Sequence, residues 1–360
     1  MPTTIKVPGK LMIAGEFAVL EPYYDLVVMA VNRYVYATLA ENDENRLSLE
    51  TFDLSNLAWE YESNAVNIKT DDPRVRFVED AMTIVCTYLR ENNIVPTPFH
   101  LTVKSELDDV SGRKYGLGSS AAVVTSVVAS ILKKFLPEGH SAGLIFKLAA
   151  VAHVKTQGSG SGADVAASSY GGFLQYASFQ ADWLQKAYKN TDSVTQLVEE
   201  KWPYLSLNPI KLPENVHMCI GWTGTPASTS KLITKIKQLN IDNPKLYEAF
   251  LTDSQTAVST FLKGISEEDT SLIFKGIKQN RHALAAVGQN ANAEVETPLL
   301  KKLCDLAEAY GGAGKPSGAG GGDCGIAFLP SRDKAEQLMK VWEQAGIKPL
   351  DIVTSQNRSG

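Results

Sequence analysis

The chain has 360 residues, with 35 lysines and arginines against 40 aspartates and glutamates and a formal net charge of −5. Its 44% hydrophobic and 21% charged residues are a globular composition and exclude a disordered one, and at roughly 100–200 residues per domain the length suggests two domains. The acidic balance excludes a broad electrostatic grip on nucleic acid or an anionic membrane, so any phosphate chemistry falls to a local site.

The first residues, MPTTIKVPGKLMIAGE, place Lys6 and Lys10 around Pro8 and lack the apolar run of a signal peptide, so a cytoplasmic chain is expected. Pro8-Gly9 reads as a turn with Lys10 just after it. Apolar and β-branched runs at 26–39 and 101–103 read as strands. Residues 120–136 read as a helix with Val123, Val124, Val127, Val128, Ile131 and Leu132 on a wide apolar face. Its apolar stretch is broken by Thr125, Ser126 and Ser130 and is too short to span a bilayer. A second helix is expected at 141–156, with Leu144, Leu148, Val151 and Ala152 at helical spacing.

Residues 201–215 carry Pro203, Pro209 and Pro213 and have no helical period, so they are read as the junction between an N-terminal domain, 1–200, and a C-terminal domain, 215–360. Beyond it come a strand at 217–223, helices at 228–239, 245–263, 271–287 and 298–310, a strand at 324–329 and a helix at 333–345. Gly311-Gly312 ends the fourth of those helices. Strands and helices mixed along the whole chain predict an α+β fold.

Three glycine-rich loops carry the chemistry. Gly116-Leu117-Gly118-Ser119-Ser120 runs directly into the first apolar helix, where Ser119 or Ser120 can cap the helix and its first amides and dipole can face phosphate. An ordinary glycine-serine helix start is the plainer reading of the same residues. Gly158, Gly160 and Gly162 precede a single acid, Asp164, and four glycines lie between Lys315 and Asp323. Taken alone, either of these two loops reads as a flexible turn.

No GxxxxGK[ST] occurs, so an ordinary P-loop is excluded. Residues 158–163 fit GxGxxA and 320–325 fit GxGxxG, but neither lies between a strand and a helix in the order a dinucleotide site requires. Cys86, Cys219, Cys304 and Cys324 form no CxxC pair, and the five histidines form no HxxxH pair, so the residues suggest neither a disulfide framework nor a zinc site.

Pro8-Gly9-Lys10 with Gly15-Glu16, then Gly116 to Ala122, then Ser317-Gly318-Ala319-Gly320-Gly321-Gly322, resemble in order the three motifs of the GHMP kinases and span most of the chain. The strings KYGLGSSAAVV, QGSGSGADVAASSYGG, IGWTGTPASTS and SGAGGGDCGIAF are most similar to the bacterial branch of that family that phosphorylates phosphomevalonate. Mevalonate-phosphorylating members typically carry a magnesium-binding glutamate eleven residues before the aspartate, where this chain has His153, which is read here as a helix-face residue.

The resemblance implies a two-domain α+β fold with its active site in the cleft between the domains. It implies ATP-dependent conversion of (R)-5-phosphomevalonate to (R)-5-diphosphomevalonate in isoprenoid precursor synthesis, with Mg²⁺. Lys10 and Asp164 are then the catalytic positions, Lys10 bridging the acceptor phosphate and the γ-phosphate and Asp164 orienting Lys10 or the metal. Lys114, Gly116, Leu117, Gly118, Ser119, Ser120 and Ala121 surround ATP, with Ser120 ligating the metal. Gly9, Lys10, Gly162, Ser228, Ser230, Ser317, Gly318, Ala319 and Arg281 surround phosphomevalonate. A monomer or homodimer with neither nucleic acid nor membrane as partner is expected. The alternatives are a mevalonate kinase or a mevalonate diphosphate decarboxylase on the same scaffold, or a non-catalytic ligand sensor. A sensor is expected to have lost Lys10, Asp164 or a loop glycine, and all are present.

Overall fold

A computed structural model describes residues 2–107, 115–225 and 229–355. Its first half comprises β1 (Thr3–Ala14), β2 (Asp25–Glu41), β3 (Arg46–Leu49), β4 (Leu54–Glu62), β5 (Ala65–Ile68), α1 (Arg76–Glu91), β6 (Phe99–Ser105) and α2 (Ser119–Phe135). It continues through α3 (Ala142–Gln157), α4 (Ala163–Tyr170), β7 (Phe173–Ala177), α5 (Ala181–Asn190), α6 (Val194–Glu199) and β8 (Ser206–Ile210). The strands form one eight-stranded sheet in the order β5-β4-β3-β6-β2-β7-β8, with β1 paired to β2. β2 is the spine, since its Val, Met and Ala run from Val27 to Val31 is fully buried and pairs with β1 on one side and β7 on the other.

α2 packs against β1 and β2. Its serines do not interrupt it, because the Ser126 hydroxyl donates to Val123 O at 2.8 Å and that of Ser130 to Val127 O at 2.9 Å. Each buried hydroxyl is satisfied within its own helix, so the apolar face continues past it. α1 and β3 to β5, which carry no reading in the sequence analysis, complete the sheet and its helical cover.

One expectation changes. Pro8-Gly9 makes no turn; β1 runs straight through it, with a register shift between Pro8 and Lys10 where it pairs with β2. Within the proline-rich stretch 201–215, β8 pairs antiparallel with β7 from Ser206 to Ile210. Pro209 is tolerated there because β8 is the edge strand, where one missing N–H leaves no ladder partner unpaired.

The second half comprises β9 (His217–Trp222), α7 (Thr229–Asp242), α8 (Pro244–Ser266), α9 (Thr270–Asn290), α10 (Pro298–Ala309), β10 (Ala313–Pro316), β11 (Cys324–Leu329), α11 (Arg332–Gln344) and β12 (Lys348–Leu350). Its sheet has the order β10-β11-β9-β12. One hydrophobic cluster joins the two sheets, with Leu11, Ile13 and Val28 in contact with a body that includes Val258, Phe261, Ile326 and Phe328. At roughly 1.5–3 kcal/mol per fully buried large apolar side chain, this continuity is what fixes β1 against the second half. The tail returns to the first sheet, where Ser355 N–H donates to Ala30 O at 2.9 Å and Asn32 N–H to Val353 O at 3.0 Å. Among the described residues no helix is long and apolar enough to cross a membrane.

Candidate active site

Lys10 lies in the middle of β1, where the neighbouring Gly9 lets a loop approach. A β-carbon on Gly9 would fall 2.7 Å from Leu117 O. Without one, Lys10 N–H donates to Leu117 O at 2.8 Å and Lys10 Nζ donates to Gly116 O at 2.9 Å. Lys10 is 8% exposed, and among the described residues no carboxylate pairs with it.

Gly118, with φ 75°, occupies the N-cap of α2, and no side chain caps that helix. This corrects the expected serine cap: Ser119 and Ser120 lie inside the first turn, and Ser120 Oγ shares a 3.1 Å hydrogen bond with His153 Nε2 instead. The first-turn amides and the helix dipole, worth about half a positive charge, stand beside Lys10 as a locus for an anion. A β-carbon on Gly118 would sit 3.0 Å from Lys10 Cγ and 3.4 Å from Asp164 Cβ, so the two catalytic candidates flank this one glycine.

Asp164 reaches that position through a tightly held loop. α3 ends at Gly158 in the left-handed conformation, and Ser161 O then accepts from Tyr176 OH at 2.5 Å and Ser178 Oγ at 2.9 Å, both buried. α4 starts after Gly162, and the half-buried Asp164 in its first turn accepts the Val165 N–H at 3.0 Å. Burial pushes the His153 imidazole below its ordinary value of 6.5, with the Asp164 charge opposing the shift. His153 therefore stays neutral at neutral pH. Its ring packs 5.4 Å from Phe77.

The third loop is tied to both of the others. Lys315 Nζ pairs with Glu16 Oε1 at 2.5 Å and donates to Pro316 O at 2.5 Å. Gly318 N–H donates to the same Glu16 oxygen at 3.2 Å, and the Ser317 hydroxyl donates to Met12 O at 2.8 Å. Burial lowers the Lys315 pKa while the Glu16 charge raises it. At the far end Cys324 Sγ donates to Tyr115 O at 3.2 Å, and the Asp323 carboxylate blocks the space beside Gly116.

Two cavities open on this junction. One, of about 120 Å³, is lined by Glu16, His153, Ser161, Asp164, Thr229, Gly318 and Ala319 among others. The other, of about 360 Å³ and largely apolar, is lined by Leu49, Phe52, Arg74, Phe77, Ser119 and Ser120 among others. The Ser120–His153 hydrogen bond connects the two. A third cavity, of about 780 Å³, is an open groove along Tyr23, Tyr24 and α8, with none of the three motifs on its lining.

The structure thus brings together Gly9, Lys10, Gly116, Leu117, Gly118, Ser119, Ser120, Asp164, Ser317, Gly318 and Ala319, whereas Gly162 packs against Phe179 and Tyr176 at the start of α4. Ala121 is buried one position further along α2. Lys114 and Ser228 lie outside the described residues. Ser230 is exposed on α7, and its neighbour Thr229 lines the smaller cavity in its place. Arg281 does not join the cluster. Its guanidinium donates to Glu296 at 2.6 Å, Asp305 at 2.6 Å and Glu308 at 2.8 Å, bracing α9 against α10. His153, Thr229, Phe77 and Arg74 gained no role from sequence reasoning, because none carries a local motif.

The description "GHMP kinases N terminal domain" matches residues 76–172, and "GHMP kinases C terminal" matches residues 261–348. The chain is 32% identical to a phosphomevalonate kinase of Streptomyces sp. (strain CL190), covering 96% of this chain and 95% of the relative. It is similar to the crystal structure of a Listeria innocua protein, with a TM-score of 0.94 and 38% identity over 99% of this chain and 98% of that one. It is also similar to the Streptococcus pneumoniae phosphomevalonate kinase in complex with phosphomevalonate and AMPPNP. There the TM-score is 0.85, with 26% identity over 98% of this chain and 100% of that one.

Proposed function

We propose a division of labour at this site from one premise: the chain belongs to the GHMP kinase family. Its reaction is ATP-dependent phosphorylation of phosphomevalonate, giving diphosphomevalonate and ADP in the mevalonate pathway. A terminal oxygen of the acceptor phosphate forms the new bond to the γ-phosphorus, and the bond to the β–γ bridging oxygen breaks, leaving ADP. With a second pKa near 6, about that of other phosphate monoesters, the nucleophile is already ionised at neutral pH. The obstacle is the approach of two anions, so catalysis is positioning and charge neutralisation.

The observation that carries this reading is the placement of Lys10, whose ammonium rests on the neutral Gly116 carbonyl at the uncapped start of α2. A cation without a carboxylate partner keeps its full charge for phosphate. The α2 N-terminus takes the nucleotide phosphates, and the larger cavity beside Ser119 and Ser120 takes the nucleoside. Asp164 stands across Gly118 from Lys10, on the metal side of the phosphates. The acceptor enters the smaller cavity between Glu16, Asp164 and the loop at Ser317–Ala319.

Magnesium fits as an ion delivered with the nucleotide, since among the described residues no three His, Cys, Asp or Glu side chains cluster to hold one. The Ser120 hydroxyl and the Asp164 carboxylate are the residues that would hold it, and when bound it neutralises phosphate charge. All these groups come from one chain, which suits a monomer or a homodimer, and an ATP-dependent reaction suits a cytoplasmic location.

The experiment is coupled ADP release with mevalonate, phosphomevalonate, diphosphomevalonate, homoserine and galactose, together with CO₂ detection. ADP release with phosphomevalonate alone and no CO₂ is expected. ADP release with mevalonate alone, or CO₂ from diphosphomevalonate, would overturn the assignment.

A further inference from the structure

Ser168 is 2% exposed on α4, and its hydroxyl donates to the Pro8 carbonyl of β1 at 2.8 Å, across 160 positions of sequence. Other buried helical serines keep their bonds at home. The Ser169 hydroxyl donates to Val165 O of the same helix, and those of Ser126 and Ser130 donate to carbonyls of α2. That is the ordinary back-bond of a helical serine. Ser168 instead reaches the strand that carries Lys10.

The carbonyl it holds lies where the ladder determines β1 least. Pro8 stands opposite Tyr34 and Lys10 opposite Ala30, so Val31, Asn32 and Arg33 of β2 face the single residue Gly9. Those three turn to the C-terminal tail: Val31 bridges Thr354, Asn32 N–H donates to Val353 O at 3.0 Å, and the Arg33 guanidinium donates to Asp351 O at 2.9 Å. Pro8 has no N–H to offer β2. A slip of one residue in a strand turns each side chain to the opposite face, and here it would carry the Lys10 ammonium out of the site.

Two backbone ties oppose that slip. Lys10 N–H donates to Leu117 O at 2.8 Å, which binds the strand to the loop before α2. Ser168 binds Pro8 to α4, the helix that carries Asp164 one turn earlier on the same face. The bond from Lys10 Nζ to Gly116 O is of another kind, since phosphate replaces it in the reaction. Once the ammonium has left that carbonyl, the backbone ties fix where it stands.

We propose that Ser168 is the positioning residue for Lys10: by holding the Pro8 carbonyl it fixes β1 against α4 and keeps the ammonium between the start of α2 and Asp164. Ser168 acts through Lys10 and touches neither substrate. This rests on Lys10 as the cation of the phosphoryl transfer. Ser168→Ala leaves a buried carbonyl without its donor and lets β1 shift on α4.

The test is a double-mutant cycle on kcat with phosphomevalonate and ATP, built from Ser168→Ala, Lys10→Met and the two combined. In the wild-type chain Ser168→Ala is expected to lower kcat at least about 10-fold with both KM values within about 3-fold, because a shifted ammonium is felt mainly in the transition state. In the Lys10→Met chain the same change is expected to alter kcat less than about 2-fold, since the group it serves is gone. Ser130→Ala removes an equally buried hydroxyl whose bond stays within α2, and kcat should stay within about 2-fold in both chains. If Ser168→Ala does not fold, Ser168→Cys replaces it in the cycle; its weaker donor is expected to cost about 3-fold in the wild-type chain and nothing in the Lys10→Met chain. A loss that carries over undiminished into the Lys10→Met chain overturns the proposal, and so does wild-type kcat in the Ser168 variant. A loss under about tenfold in Lys10→Met itself is a separate result, which overturns Lys10 as the cation.

Discussion

Lys10 and Arg281 are each 8% exposed, and sequence reasoning assigns both to anionic substrates. Arg281 is surrounded by Glu296, Asp305 and Glu308, so its surroundings carry an excess of negative charge. Among the described residues the Lys10 ammonium meets only a carbonyl oxygen, at 2.9 Å, at the start of α2. A phosphate approaching Arg281 would have to displace carboxylates already held in place, whereas one approaching Lys10 displaces a neutral dipole. What separates a binding cation from a structural one is its set of partners, and burial alone does not reveal it.

The comparison breaks most visibly at Lys10. Lys10→Met is expected to lower kcat by about 10³-fold or more, with the thermal midpoint shifted by only a few degrees. A loss under tenfold would place Lys10 with Arg281 as a structural cation. Gly118→Ala is the next largest effect. It forces alanine into a left-handed conformation that costs about 1–2 kcal/mol and drives a methyl to 3.0 Å from Lys10 Cγ. Its kcat/KM for ATP should fall roughly 100-fold, which steady-state kinetics would read.

Arg281→Leu should do the reverse. It leaves Glu296 and Glu308 without their cation while Asp305 keeps Lys301 at 2.8 Å, and partial exposure of Glu308 limits the cost to about 2–4 kcal/mol in denaturant unfolding. Its kcat should stay within about 3-fold, and a larger catalytic loss would show that α9 reaches the chemistry. The smallest effect sharpens the role of His153. Because burial depresses its pKa, the unfolded state binds the proton first, and the folded protein loses stability as pH falls below about 6.5. In His153→Gln this loss of stability between pH 7 and 5 should be missing from the unfolding curves.

The helices were legible wherever an apolar period ran unbroken, as in α2, α3 and α8 to α11, and the buried strands β2, β9 and β11 stood out by their β-branched and apolar runs. β8 was not legible, because Pro209 reads as a breaker and only its place at the sheet edge makes it a strand. β1 was hidden by Pro8-Gly9, which has the composition of a turn and here lies within a strand. At the site, Lys10, Asp164 and the glycines could be named from residue type and order. The Glu16–Lys315 pair joins residues 299 positions apart, and Arg281 finds its acids on and before α10. Pairings of that kind leave no local trace. The same holds for Ser120, whose hydroxyl goes to His153 because Gly118 has taken the cap.

The central claim is that the nucleophile is an oxygen of an existing phosphate. Phosphorus NMR of the product from phosphomevalonate and ATP tests it most directly. A pair of mutually coupled phosphorus signals, showing a P–O–P linkage on the acceptor, is the predicted result. Two uncoupled monoester signals would place the new phosphate on a hydroxyl and contradict the account.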